Sequence, residues 1–191
     1  GNSPDPKVSA IDHANTPFID SLYKKYPFAQ LRTDGLNVGL PEGQMGNSEV
    51  GHMNLGAGRI VYQDLAKINL AVQNNTLCAE PILQEAFNYA KINNKPVHFL
   101  GLLSDGGVHS HINHLFGLLD ATKAYDLEQV FVHAFTDGRD VDPKSGADHV
   151  NNLVKYIEDS NIKLASVVGR YYAMDRDKRW ERVKLAYDVM V

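Results

Sequence analysis

Five side chains of this sequence have the types that bind a small anion and move a proton. They are His109, Arg139, Asp140, Arg170 and Arg176. Arginine suits carboxylates and phosphates because its planar guanidinium group presents parallel N–H donors. An acid beside such a cluster, Asp140, can act as a general base on a substrate hydroxyl. These residue types predict a site for a small anionic substrate, provided that the fold brings them together.

The elements that must position them form a regular alternation. Apolar runs predict strands at 97–103, 130–135 and 164–168, followed by helices at 112–125, 143–159 and 179–190. This alternation is typical of an α/β fold with a mostly parallel sheet and helices on both faces. Ligands of such sheets bind beyond the carboxyl ends of the strands, where all five side chains lie. A single loop with an Arg–Asp pair would be an ordinary surface feature. Three such loops, each at the carboxyl end of a strand, favour a binding site.

The first third of the sequence has a different character. Helices are predicted at 15–25 and 80–91, and a short strand is predicted at 29–32. A composition shift near Tyr62 predicts two domains, 1–62 and 63–191. The first six residues have loop chemistry and the last helix has no cap, so we expect both ends to be cuts through a longer protein.

A second candidate centre lies in the glycine-rich segment between Asp34 and Gly58. Ser48 stands between Gly46 and Gly51 at a predicted helix start. Serine often caps a helix by accepting a backbone hydrogen bond. The same position also suits a nucleophile whose phosphate would lie on the free N–H groups of the helix. The spacing alone leaves both interpretations open.

Composition limits the classes of function. Nineteen Lys and Arg residues against 23 Asp and Glu residues leave the 191-residue chain with a net charge of −4, which disfavours nucleic-acid binding. No apolar run reaches the ~18 residues of a membrane span, so no membrane partner is expected. The single cysteine, Cys78, predicts a reducing compartment, the cytoplasm.

A histidine-rich segment offers an alternative chemistry. His109, His111 and His114 resemble the H-x-H-x-D-H metal motif of metallo-β-lactamase-like hydrolases, although Asn113 stands where that motif has its aspartate. Because asparagine is a much weaker ligand, a zinc hydrolase is only the alternative hypothesis.

Four motifs together make a more specific resemblance. The stretch from Leu40 to His52 with 54–59 after it, and the segments 103–111, 137–141 and 169–180, resemble cofactor-independent phosphoglycerate mutases. They follow the order of that family and extend over nearly the whole chain. The sequence is therefore identified as a member of this family by resemblance.

This resemblance implies an isomerase of glycolysis and gluconeogenesis that interconverts 3-phosphoglycerate and 2-phosphoglycerate. It implies an alkaline-phosphatase-like domain with two divalent metal ions, usually Mn²⁺, and an inserted phosphotransferase domain. Ser48 would take the phosphoryl group as phosphoserine and also ligate metal. The five residues named at the outset would bind the substrate, and Asp140 would also handle the hydroxyl proton.

Coverage is where the sequence departs from the family pattern. The Asp-Gly motif that opens the family, and the Asp and His metal ligands of its C-terminal part, are not in this sequence, so Ser48 is the only ligand present. The chain resembles roughly the first two-fifths of the enzyme, which we expect to act as a monomer. On its own the chain is expected to be inactive, and a non-catalytic anion-binding role stays open as a further alternative.

Overall fold

The computed structural model describes residues 5–191; the first four residues, which were predicted as loop, lie outside the described part. The chain divides into two compact units, Gly1–Thr33 and Asp34–Val191. The domain boundary predicted near Tyr62 stays a prediction. In the second unit, the Gln63 N–H donates to the carbonyl of Gly39 at 2.8 Å.

The first unit contains one α-helix in its described part. A 3-10 turn spans Pro6–Val8 and α1 spans Pro17–Lys25. Pro17 stands in the first turn of α1, where a missing N–H is harmless. The strand predicted at 29–32 is wrong, since no strand forms there. A strand needs a hydrogen-bonded neighbour, and the described residues 5–33 contain no other strand.

The second unit alternates helices and strands as predicted. Its elements in chain order are α2 (Ser48–Ala57), α3 (Asp64–Gln73), α4 (Pro81–Ile92), β1 (Val97–Leu103), α5 (Ile112–Lys123), β2 (Val130–Thr136), α6 (Gly146–Ile157), β3 (Ile162–Gly169), α7 (Arg170–Ala173) and α8 (Trp180–Met190). Short 3-10 helices span Gly35–Val38 and Leu77–Ala79.

The three strands form one parallel sheet in the order β1-β2-β3. Val97 pairs with Val130, and Val130 pairs with Ile162, so the strands start in register. They also end in register, because Leu103 is level with Thr136 and Thr136 with Gly169. The loops that follow the three strands therefore leave the same edge of the sheet. These findings confirm the α/β class and the parallel sheet.

Helices α4, α5 and α6 share one apolar core with the sheet. Leu119 of α5 and Leu153 of α6 are fully buried there, and Phe87 of α4 is 2% exposed. Right-handed crossovers in a β1-β2-β3 order bring α5 and α6 to the same face of the sheet. The opposite face of β1 is open, since Leu100 is 56% exposed. The predicted helix cover is thus incomplete over this strand among residues 5–191.

The glycine-rich segment packs around a small core of its own, formed by Val38, Leu40 and Val50. Gly39 shows why glycine is needed here. Its φ is +82°, and a Cβ atom at this position would lie 2.2 Å from the carbonyl oxygen of Val61. This close backbone approach is the reason that only glycine fits at position 39.

No helix within residues 5–191 is both long enough and apolar enough to cross a bilayer.

Candidate functional site

The loop after β2 is organised around one buried carboxylate. Asp137 Oδ1 accepts the backbone N–H groups of Arg139 at 3.0 Å and Asp140 at 3.1 Å. The turn requires Gly138, whose φ is +107°. A Cβ atom on that glycine would also lie 3.3 Å from Pro143 Cα. The local sequence therefore folds both functional residues of this loop about Asp137.

Arg170 joins the loop after β3 to the loop after β2. It is the first residue of α7, and its Nη1 lies 2.8 Å from Asp137 Oδ1 and 2.7 Å from Asp140 Oδ2. All three side chains are nearly buried, with exposures of 13%, 0% and 12% for Arg170, Asp137 and Asp140. Charge-assisted hydrogen bonds in such a place are stronger than exposed ones.

Asp137 and Arg170 shift each other's pKa. Burial by itself raises the pKa of Asp137. The nearby Ser104 hydroxyl, the two backbone N–H groups and the Arg170 guanidinium outweigh burial, and the pKa lies well below its usual range. The hydrogen bond to Asp140 is the largest cause of a raised pKa for Arg170. Both groups are therefore ionised at neutral pH.

The loop after β1 contributes His109 to the same place. Its Nε2 lies 4.0 Å from Asp140 Oδ2, and its side chain is 54% exposed. A histidine at this distance from a carboxylate can donate to a bound anion when it is protonated. All three predicted loops therefore meet at Asp140.

Three arginines line a crevice beyond the carboxyl ends of β2 and β3. Arg139, Arg170 and Arg176 are among the residues around this cavity of about 550 Å³. Arg139 and Arg176 are exposed, so their guanidinium groups can reach a ligand without first being freed from a buried pair. Asp140 and His109 lie next to this crevice, since Asp140 pairs with Arg170 at 2.7 Å and His109 lies 4.0 Å from Asp140. That all five side chains share one crevice stays a prediction, and so do their roles.

Asp175 is a residue that the sequence reasoning passed over. Its side chain is 3% exposed, and Oδ2 accepts the N–H groups of Asp177 at 3.1 Å and Arg179 at 2.9 Å. Arg182 Nη1 lies 3.6 Å from Asp175 Oδ1. Asp175 thus folds the loop that carries Arg176. An aspartate followed by backbone donors two and four residues later is a turn pattern that could have identified it.

Arg179 and Arg182 also line the crevice and were not predicted. The Arg182 guanidinium carbon lies 3.8 Å from the centre of the Tyr171 ring, which adds a cation–π contact to its ion pair with Asp175. A helical pattern predicted α8 correctly, but it does not show which side of the helix turns toward a neighbouring loop.

Ser48 lies in a more open setting. It is exposed and is the first residue of α2, as predicted. The capping interpretation is wrong, because Asn47 is the cap and its Oδ1 accepts the Val50 N–H at 3.0 Å. The Ser48 hydroxyl is therefore not needed to begin the helix.

The Ser48 hydroxyl forms a hydrogen bond with the side chain of His52. His52 Nδ1 lies 3.2 Å from Ser48 Oγ and 2.7 Å from the backbone carbonyl oxygen of Ser48. A carbonyl oxygen only accepts hydrogen bonds, so the shorter contact places a proton on Nδ1. With that proton in place, Nδ1 cannot take the proton of the serine, and His52 does not activate Ser48 in this geometry.

The zinc alternative is contradicted by the geometry of its three histidines. His109 faces Asp140, His111 accepts the Asn113 N–H at 3.2 Å, and His114 Nε2 bonds Asn69 Oδ1 at 2.6 Å. Within the described part of the chain, no group of three His, Cys, Asp or Glu residues could hold a metal ion. The side chains are turned to separate partners, so the spacing in the sequence does not produce a ligand set.

The site thus defines a class: an α/β protein with arginines and a carboxylate at one edge of a parallel sheet, an arrangement suited to a small anion. The family model described as the BPG-independent PGAM N-terminus matches residues 68–191. The chain therefore belongs to the family of BPG-independent phosphoglycerate mutases.

Individual relatives agree with this assignment. The 2,3-bisphosphoglycerate-independent phosphoglycerate mutases of Flavobacterium johnsoniae and Flavobacterium psychrophilum are 77% and 78% identical to the chain over 191 residues. The match covers all of this chain and 38% of each relative. The chain thus spans about two-fifths of the length of these relatives.

A solved structure has the same fold. It is described as Leishmania mexicana phosphoglycerate mutase at low cobalt concentration, and it matches with a TM-score of 0.65 and 32% sequence identity. The likeness covers 98% of this chain and 36% of that one.

Proposed function

We propose that the full-length protein containing this chain interconverts 3-phosphoglycerate and 2-phosphoglycerate in glycolysis and gluconeogenesis. The observation that carries the proposal is the arginine-lined crevice beside the Arg170–Asp140 ion pair, in a chain whose relatives are named as phosphoglycerate mutases. The substrate carries a carboxylate and a phosphate, and both are anions that arginine binds through paired N–H donors.

The crevice residues have distinct parts in this proposal. Arg139 and Arg176 are exposed and bind the substrate anions directly, while Arg170 presents its guanidinium from the buried cluster. His109 donates to the same substrate from the loop after β1. Asp140, which is 12% exposed, takes the proton of the glycerate hydroxyl when that oxygen attacks phosphorus.

The phosphoryl group passes through Ser48. The bond between phosphorus and the substrate oxygen breaks, a bond to Ser48 Oγ forms, the serine proton is lost and the departing glycerate oxygen is protonated. The glycerate then turns within the crevice. Its other hydroxyl loses a proton to Asp140 and attacks phosphorus, the bond from phosphorus to Ser48 Oγ breaks, and Ser48 Oγ takes up a proton. Ser48 is the first residue of α2, and the positive end of the helix dipole there favours the phosphoserine charge.

The metal requirement belongs to the longer protein. The residues of this chain do not form a metal site, because no group of three acidic, histidine or cysteine ligands comes together in residues 5–191. In the proposal Ser48 supplies one ligand to a pair of divalent ions, Mn²⁺ in the full-length enzyme. The Leishmania mexicana relative was studied with cobalt, which supports a divalent-metal requirement in the family.

The chain by itself is proposed to be inactive and to retain only weak anion binding. One serine oxygen cannot hold an ion that takes several ligands. We therefore expect the isolated chain to bind Mn²⁺ weakly or not at all. Tight binding of one Mn²⁺ per chain, measured by calorimetry, would contradict this part of the proposal.

The proposed function also implies the partners, the oligomeric state and the cellular compartment of the full-length protein. The substrate is the proposed small-molecule partner, and the full-length enzyme is proposed to act as a monomer in the cytoplasm. The single cysteine, Cys78, which is unpaired, supports a reducing compartment. The net charge of −4 supports the absence of a nucleic-acid partner.

The direct test is an assay of the full-length protein with Mn²⁺ and 3-phosphoglycerate, without added 2,3-bisphosphoglycerate. Formation of 2-phosphoglycerate is the expected result. Turnover that requires added 2,3-bisphosphoglycerate, or no turnover from a folded and metal-loaded protein, would contradict the proposal.

A further inference from the structure

We propose that Asp137 is the positioning residue of the crevice, holding the groups that bind substrate and the group that takes its proton in one arrangement. This inference rests on the proposed function. Asp137 is not among the residues that the sequence or the family resemblance implicates, and it does not need to touch the substrate. Its part is to act through Arg139, Asp140 and Arg170.

The first argument is geometric. A single oxygen, Asp137 Oδ1, accepts three hydrogen bonds: the N–H groups of Arg139 and Asp140 at 3.0 and 3.1 Å, and Arg170 Nη1 at 2.8 Å. The first two bonds fix where the turn sends the side chains of Arg139 and Asp140. The third fixes the guanidinium of Arg170 from a different strand end. One atom therefore sets the relative positions of three functional groups.

The second argument compares the two carboxylates that share Arg170. Asp137 has no exposed side-chain surface, whereas Asp140 is 12% exposed and lies 4.0 Å from His109. Asp140 is therefore the more accessible of the two carboxylates. When Asp140 leaves Arg170 to take a proton, Asp137 still holds the guanidinium in place. The buried carboxylate is thus the constant partner of Arg170 and the accessible one is the exchangeable partner.

The third argument concerns charge. A buried carboxylate that loses its cation is costly, so Asp137 and Arg170 stabilise each other's ionised form. The Ser104 hydroxyl, the two backbone N–H groups and the Arg170 guanidinium hold the pKa of Asp137 well below its usual range even though burial raises it. Asp137 is therefore ionised at neutral pH. Support for Arg170 does not depend on the protonation state of Asp140.

The variant Asp137→Asn tests this in the full-length protein. Its amide oxygen can still accept the two backbone N–H groups, and its amide nitrogen would replace Oδ2, which these three donors do not contact. The variant therefore removes mainly the charge that holds Arg170. We expect kcat/KM to fall between roughly 10- and 100-fold, the range for loss of one charge-assisted hydrogen bond.

Asp142→Asn is a matched control from the same loop. Asp142 Oδ1 also accepts a backbone N–H, that of Lys144 at 2.7 Å, but Asp142 is exposed and its described contacts include no arginine. Its kcat/KM is expected to stay within about twofold of the wild type. Equal losses in Asp137→Asn and Asp142→Asn would overturn the proposal, because a turn of either kind would then suffice.

A double-mutant cycle separates positioning from a general structural role. If Asp137 acts through Arg170, kcat/KM of the double variant Asp137→Asn, Arg170→Met equals that of Arg170→Met within about twofold. Combined with Arg176→Met, a side chain that Asp137 does not contact, the two losses multiply instead. Multiplied losses in both cycles would overturn the proposal.

A crystal structure of the wild-type full-length protein with 3-phosphoglycerate bound tests the same point if Asp137→Asn does not fold. Asp137 Oδ1 is expected to stay within hydrogen-bond distance of Arg170 while Asp140 turns to the substrate. Separation of Asp137 from Arg170 in the complex would overturn the inference. A wild-type protein without mutase activity would instead refute the proposed function, so the two failures are distinguishable.

Discussion

The crevice and the Ser48 segment differ in how firmly their functional side chains are held. At the crevice, Arg170 and Asp140 are nearly buried. Arg170 Nη1 lies 2.7 Å from Asp140 Oδ2 and 2.8 Å from Asp137 Oδ1. Ser48 is exposed, and its hydroxyl contacts only His52 within its own helix among the described contacts. The small core beneath it consists of three residues, Val38, Leu40 and Val50.

This difference separates the two parts of the proposed chemistry. The proposed binding side chains follow the three strands of one sheet, so this fold already places them. Ser48, the proposed nucleophile, starts a short helix, and no set of metal ligands surrounds it in residues 5–191. The two regions are therefore expected to respond differently to mutation.

The largest expected effect is that of Ser48→Ala on turnover of the full-length protein. Without Ser48 Oγ no phosphoserine can form, so essentially all mutase activity should be lost. Stability should change by less than about 1 kcal/mol, because Asn47 and not Ser48 caps α2. Steady-state rates and thermal melting, measured side by side, check both statements. A folded variant with near-normal turnover would remove Ser48 from the mechanism.

The next effect concerns the crevice and separates its two kinds of arginine. Arg170→Ala leaves the fully buried carboxylate of Asp137 without its cation, which should destabilise the chain by about 3 kcal/mol. Arg176→Ala removes an exposed side chain and should change stability by at most about 0.5 kcal/mol. Urea unfolding of the isolated chain measures both values. Equal stabilities would show that the buried cluster is not held by Arg170.

Both arginine variants should weaken substrate binding. The loss of a charge-assisted contact costs about 1.5–3 kcal/mol, and it should be visible as a raised KM in the full-length protein. Unchanged KM and kcat in both variants would show that the crevice is not the substrate site.

A smaller effect sharpens the assignment of roles at α2. Asn47→Ala removes the side chain that accepts the Val50 N–H, and it should cost about 1 kcal/mol of stability. The catalytic rate per folded molecule should stay within the same order of magnitude as in the wild type. If Asn47→Ala abolished turnover while Ser48→Ala did not, the assignments of cap and nucleophile would have to be exchanged.

The smallest expected effect is a pH dependence of stability away from both sites. Burial is the first cause that lowers the pKa of His114 and His133 below 6.5, and the neighbours His111 and His98 add to it. Their neutral forms therefore favour folding above pH 6.5, and that contribution is lost as the pH falls below this value.

Thermal melting of the isolated chain between pH 7.5 and 5.5 measures this dependence. The melting temperature should fall with pH, and His114→Gln, which keeps a donor for Asn69, should flatten the slope. A melting temperature that rises toward pH 5.5 would contradict the sign.

Much of the second unit could be predicted from sequence because its signals are local and periodic. β1 was predicted at its observed bounds, 97–103, and the other elements of the alternation differ by a few residues at their ends. The strand predicted at 29–32 failed because a strand depends on a neighbour that no local pattern reports. The helix α3 was missed because its segment mixes apolar and polar residues without a strong period.

The parts of the candidate site that could be predicted are charged or histidine side chains in the loops that follow strands. His109, Arg139, Asp140, Arg170 and Arg176 follow strands, and parallel registry brings such positions together. Asp137 and Asp175 were missed because their importance lies in burial and in bonds to backbone N–H groups. Neither property can be read from residue type, since an aspartate in a loop is usually solvated.

The measurement that tests the central claim most directly is the location of phosphate during turnover. The full-length protein would be mixed with Mn²⁺ and 3-phosphoglycerate, quenched in acid within the first turnovers and digested for mass spectrometry. The account predicts phosphate on the peptide that contains Ser48, and none there in Ser48→Ala. Active enzyme that carries its phosphate on another residue, or carries none at all, would contradict it.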